Sequence, residues 1–175
     1  AEGSAADLVG AARHLAPSGV VIPHAITLFL APVGDPALLA SVTDPFDHPA
    51  LDLSPLKAAA LARSFTQVVD PASLMGPAAP VATLAFPQGS VKARGRCTLA
   101  NTANRPVHGL AGWYTLHLAP GVHLPTGPED PPTHWKQVFF PIAFPAAPGD
   151  LTLEVSLEPA ADDRRGIEVT VNSRG

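Results

Sequence analysis

Thr133, His134 and Trp135 are the residues of this chain whose types and spacing are best suited to recognition chemistry. They follow Pro131-Pro132, so a proline-bounded turn presents a hydroxyl, an imidazole and an indole together. The next segment, Gln137 to Phe144, alternates in character and carries the turn onward as a strand. On the residues alone, His134 caps a turn and Trp135 fills the end of a β body.

Other chemistries find less support. His117 and His123 stand where they could approach each other across a turn, but no HExxH motif or facing acidic ligand accompanies them. Structural or surface histidines are therefore expected, with no metal site. Neither GxGxxG nor GxxxxGK[ST] occurs, so no nucleotide cradle is implied. No GxSxG elbow supports serine nucleophile chemistry. Cys97 is the only cysteine, which rules out a disulfide within the chain and a cysteine-based zinc site. It is expected as a small buried hydrophobe in a strand, with a reactive thiol as the alternative.

The elements that must position these residues are short. The chain has 175 residues, of which 46% are hydrophobic, enough for one well-packed domain with a small appendage. Its 21 prolines and 14 glycines break helices and central strands, favouring an all-β body over a helical bundle. Net charge is -4 and only 15% of residues are charged, so neither a nucleic-acid face nor a surface for anionic membranes is expected. No apolar run is long enough to span a bilayer. With no basic-then-apolar leader, a reducing, cytoplasmic setting is expected. The start at Ala1, without methionine, points to processing or to residues upstream.

Residues 5–15 read as a helix, with Leu8, Val9, Ala12 and Leu15 on one stripe and Ser4 as N-cap. Val20-Val21-Ile22-Pro23 reads as a short β piece and residues 26–33 as a clearer strand. Residues 37–62 differ in composition: a loop at 44–49, then an alanine-rich helix over 56–63. This insertion is either a packed lid or a projecting arm. Strands are expected over 66–69, 81–86, 91–101, 108–118, 138–144, 151–157 and 167–171. Many short antiparallel strands without crossover helices imply a barrel or sandwich.

Thr133-His134-Trp135 in this setting resembles the Thr-His-Trp loop of the protein arginine methyltransferases. The flank from Thr126 to Gln137 is similar to that family's acidic and proline-bearing approach to the loop. Val107-His108-Gly109-Leu110-Ala111-Gly112-Trp113 resembles its His-Gly-aromatic barrel strand. Val68-Val69-Asp70-Pro71 matches a family strand-turn, and residues 12–23 resemble the junction where the methyltransferase fold enters the barrel. These matches occur in the family's order along most of the chain.

The resemblance implies a mainly β fold: an antiparallel β-barrel with an N-terminal helix and a partly helical inserted arm. Residues 1–25 would be the end of the methyltransferase domain and the junction. Residues 26–175 would be the barrel, with a dimerisation-arm-like segment at about 37–62. It implies that the full-length enzyme moves a methyl group from S-adenosylmethionine to arginine in a protein or peptide, and works as a homodimer. No cofactor is expected in this chain, which would not be catalytic alone. His134 and Glu2 would be the catalytic residues, and Glu2, Thr133, His134 and Trp135 would bind substrate. His134 would hydrogen-bond an acidic group from elsewhere in the enzyme, and Trp135 would support the pocket wall. Glu2 would be the second of two glutamates that hold the guanidinium. Two departures stand out: His24-Ala25 replaces a frequent acidic-basic pair, and the arm is rich in alanine and proline. In the family that arm grips the cofactor domain of a second subunit, a contact that two copies of this chain alone would lack. Two other readings remain at this point: a non-catalytic β-barrel that binds or scaffolds, and an unrelated β-sandwich.

Overall fold

The computed structural model describes residues 10, 11, 13–86, 95–146, 152–159 and 167–174. The expected helix over 5–15 falls mostly outside these residues, although Gly10 and Ala11 are helical. So do Ser4 and Glu2. Val20-Val21-Ile22 is not a strand, contrary to expectation. β character alone does not make a strand without a neighbour to pair with, and Val20 and Ile22 are exposed.

The body is mainly β and antiparallel, as the sequence implies. The first sheet is built on β1 (Ala25–Val33), β2 (Phe65–Gln67), β3 (Ala79–Ala85), β5 (Val107–Ala119), β6 (Val122–Pro125) and β7 (Gln137–Ala146). Its order is β2-β7-β5-β1-β3, with β6 paired to β5. The second sheet pairs β4 (Gly95–Ala100), β8 (Thr152–Pro159) and β9 (Ile167–Arg174) in the order β4-β8-β9. Gly95 lies so close to the Val81 carbonyl that any Cβ there would overlap it, which brings the two sheets together at β3 and β4.

The long strand β5 organises the interior. Successive side chains of a strand point to opposite faces, and Leu110 and Ala111 each enter a different core. Leu110 joins Leu30, Met75, Val81, Leu99 and Val107, which fill the space reached by both sheets. Ala111 joins Val33, Val42, Ala60, Val69 and Phe139 on the other face. Phe139 is fully buried, and Gly109 lies against its ring and the Phe140 carbonyl, leaving no room for a larger residue.

Val42 and Ala60 come from the inserted segment, which carries two helices, α1 (Pro36–Thr43) and α2 (Ser54–Leu61). Asp35 caps α1: its Oδ1 accepts from Ala37 N at 2.8 Å and Leu38 N at 3.3 Å. Pro36 fits the first turn, where its missing N–H costs no helical bond. Lys57 of α2 reaches Asp47 at 2.7 Å across the intervening loop. The base of the insertion is thus packed on the sheet, whereas Leu51 and Leu56 are exposed. The segment thus combines core-packed Val42 and Ala60 with solvent-facing Leu51 and Leu56.

Candidate functional site

The Thr133–Lys136 segment is a tight turn, closed by Lys136 N donating to Thr133 O at 3.3 Å. Lys136 has φ +54, a left-handed conformation that a lysine adopts only under constraint. The constraint follows one residue later. Gln137 is buried, and its side chain ties three segments together. Its Oε1 accepts from Val69 N at 3.1 Å, and its Nε2 donates to Thr126 O at 2.9 Å. Both ends of the amide are satisfied by backbone, so the start of β7 and the turn before it are fixed in position.

Thr126 is equally buried. Its Oγ1 donates to Tyr114 O at 2.8 Å and accepts from Tyr114 N at 3.3 Å, copying a strand partner at the point where β6 ends. The following loop closes on itself, with Gly127 N donating to Asp130 Oδ2 at 2.8 Å. It also presses on β5: a Cβ at Gly127 would sit 2.9 Å from Trp113 Nε1. Beside it Trp113 stacks with Phe29, ring centroids 6.3 Å apart. Phe29, Met75, Trp113, Glu129 and Asp130 line a cavity of about 460 Å³ next to this loop.

On this frame the turn presents its side chains outward. His134 is exposed and its ring lies 4.4 Å from that of Trp135. Trp135 remains 39% exposed, and its other neighbour is Tyr114, with centroids 5.9 Å apart. Burial pushes the Tyr114 hydroxyl up to about 12, so it stays neutral at physiological pH. Thr133 Oγ1 is buried at the root of the turn and makes no hydrogen bond. The expectation that Trp135 fills the barrel end is half met: one side packs on Tyr114 and the rest faces solvent. The arrangement can do two things: offer hydrogen bonds from His134, and present an aromatic wall at Trp135. Glu2 lies outside the described residues and is not placed beside them.

His117 and His123 do meet across the β5–β6 turn, with Nδ1 atoms 3.1 Å apart. Among the described residues, no group of three or more His, Cys, Asp or Glu side chains is placed to hold a metal ion. Cys97 is half-buried rather than fully buried, and burial pushes its thiol up, away from the reactive thiolate. Among the described residues, no helix is long and apolar enough to cross a membrane.

The sequence profile of the arginine methyltransferase oligomerization subdomain matches residues 24–174. The chain belongs to that family.

Solved methyltransferase structures agree in fold. The chain is 17% identical to the Trypanosoma brucei PRMT1 enzyme-prozyme heterotetrameric complex with AdoHcy, with a TM-score of 0.69 over 86% of this chain and 51% of that one. For protein arginine methyltransferase 10 of Arabidopsis thaliana, in a uniquely open conformation, the values are 18% and 0.70, over 98% and 61%. For PRMT6 they are 18% and 0.60, over 87% and 55%. Against these methyltransferases the chain therefore spans between 51% and 61% of the partner's length. No curated protein matches it. Membership as the C-terminal barrel domain of an arginine methyltransferase removes the unrelated sandwich from consideration. The sequence marks Thr126 and Gln137 only as the ends of the flank around the turn; that they hold it is seen only in the fold.

Proposed function

We propose that this barrel is the substrate side of an S-adenosylmethionine-dependent protein arginine methyltransferase, working in a longer polypeptide. The observation that carries this reading is the Thr133–Lys136 turn, locked from behind by Gln137 and open in front at His134 and Trp135. A rigid turn with an exposed imidazole and indole suits a pocket wall, because catalysis by positioning needs groups that do not move. In this reading His134 hydrogen-bonds an acidic group supplied by the rest of the enzyme. Trp135 walls the arginine pocket, and the Thr133 hydroxyl meets the substrate or that acidic group. Glu2 orients the guanidinium with a second carboxylate.

S-adenosylmethionine supplies the methyl group, and this chain's residues do not fit it: no glycine-rich strand-to-helix loop occurs in the sequence. The cofactor would be held by the remainder of the longer protein, with residues 1–25 as the junction and residues 26–175 as the barrel. The exposed Leu51 and Leu56 on the segment at about 37–62 support its use as a dimerisation arm. A protein or peptide arginine as substrate, a homodimer and a cytoplasmic setting complete the proposal.

Calorimetric titration of S-adenosylmethionine into this chain and into the full-length protein tests it. Binding to the full-length protein alone is the expected result. Binding to neither would overturn the enzyme reading in favour of a non-catalytic binding barrel. Binding to this chain alone would mean that the cofactor site lies within it.

A further inference from the structure

The β5–β6 hairpin places His117 directly opposite His123 in register. Their rings meet edge-on, centroids 4.9 Å apart. The two Nδ1 atoms face each other at 3.1 Å. Imidazole nitrogens bind metals such as zinc at about 2.0–2.1 Å, so two nitrogens at this separation subtend roughly 100° at a shared ion. That angle lies between square-planar and tetrahedral values.

The far side of His117 is also prepared. Its Nε2 lies 2.8 Å from Thr27 Oγ1, which in turn lies 3.1 Å from Thr83 Oγ1. With the Nε2 proton donated to Thr27, the Nδ1 lone pair faces His123. An outer hydrogen bond of this kind fixes tautomer and ring orientation in metal-binding histidines. Protonation of both Nδ1 atoms would set two N–H groups against each other.

We propose that His117 and His123 form a bidentate site for a divalent transition-metal ion that favours imidazole, namely Cu²⁺, Ni²⁺ or Zn²⁺. Water fills the remaining positions, which His123, exposed at the hairpin, leaves accessible. The His24 ring lies 6.1 Å from that of His117 and stands beside the pair without completing it. A bound ion would clamp β6 to β5 just before Thr126, whose main-chain carbonyl accepts from Gln137.

The test is calorimetric titration of CuCl₂, NiCl₂ and ZnCl₂ into tag-free protein, with pulsed electron paramagnetic resonance on the Cu²⁺ form. One ion per chain is expected, Cu²⁺ the tightest, with two imidazole nitrogens coupled to the copper. His117→Gln and His123→Gln should each weaken binding about 10-fold or more, and Thr27→Val about 10-fold. His48→Ala, in the inserted segment, should bind as the wild type does. His123 is exposed, so His123→Gln reports on the site even if the His117 variant folds poorly. Absence of binding, binding unchanged in His123→Gln, or fewer than two coupled imidazoles would each overturn the proposal.

Discussion

The side-chain amide of Gln137 donates to the main-chain carbonyl of Thr126 at 2.9 Å, joining the end of one strand to the beginning of another. Its oxygen accepts from Val69 N, so one buried residue fixes the approach to the Thr-His-Trp turn, its exit and a segment far away in sequence. Gln137→Ala leaves a buried N–H and a buried carbonyl without partners. We predict a loss of about 2–4 kcal/mol of stability, measured by denaturant unfolding, together with faster amide exchange at residues 133–136. Unchanged exchange would mean that the turn is held by something else.

The Trp135 and Tyr114 rings lie within the range where aromatic pairs attract beyond simple burial. A double-mutant cycle with Trp135→Ala and Tyr114→Ala should give a coupling of about 0.5–1.5 kcal/mol. Additive effects would show that the contact adds nothing to the wall.

Lys136 sits at positive φ, where glycine is at ease and a branched residue is strained. Lys136→Gly should raise stability by up to about 1 kcal/mol, while Lys136→Val should lower it by about 1–2 kcal/mol. Thermal denaturation of the two variants checks the sign of each change. The opposite order would mean that the turn adopts another conformation in solution.

The interior is least tolerant where β5 and β7 meet. Gly109→Ala puts a methyl against the fully buried Phe139 ring and the Phe140 carbonyl, neither of which has room to move. We expect a cost of about 3 kcal/mol, at the upper end of overpacking, read from the urea midpoint. Gly121→Ala is the contrast: nothing crowds that site, and only its φ of +75 opposes the change. It should cost about 1 kcal/mol.

Where strands alternate over many residues, their pattern alone located them: β5 and β7 appear close to their expected spans. β6 has only four residues, Val122–Pro125, too few for a period to show. α1 was expected only as part of a partly helical arm, although Asp35-Pro36 is a cap-and-proline start visible in the sequence. The tripeptide at the site was legible because prolines and a strand frame it. What holds it was not, because Val69 and Gln137 are 68 residues apart and only the fold brings them together. That His117 and His123 could approach across a turn is legible in the sequence, but the position of Thr27 behind them depends on β1 lying beside β5.

The most direct test of the account is methyl transfer from radiolabelled S-adenosylmethionine to an arginine-containing peptide by the full-length protein, wild type against His134→Ala and Trp135→Ala. If the turn walls the substrate pocket, both variants keep the fold and the cofactor affinity, while kcat/KM falls about 100-fold for His134→Ala. Wild-type protein that transfers methyl groups with either variant unimpaired would contradict the assignment of the turn to the active site.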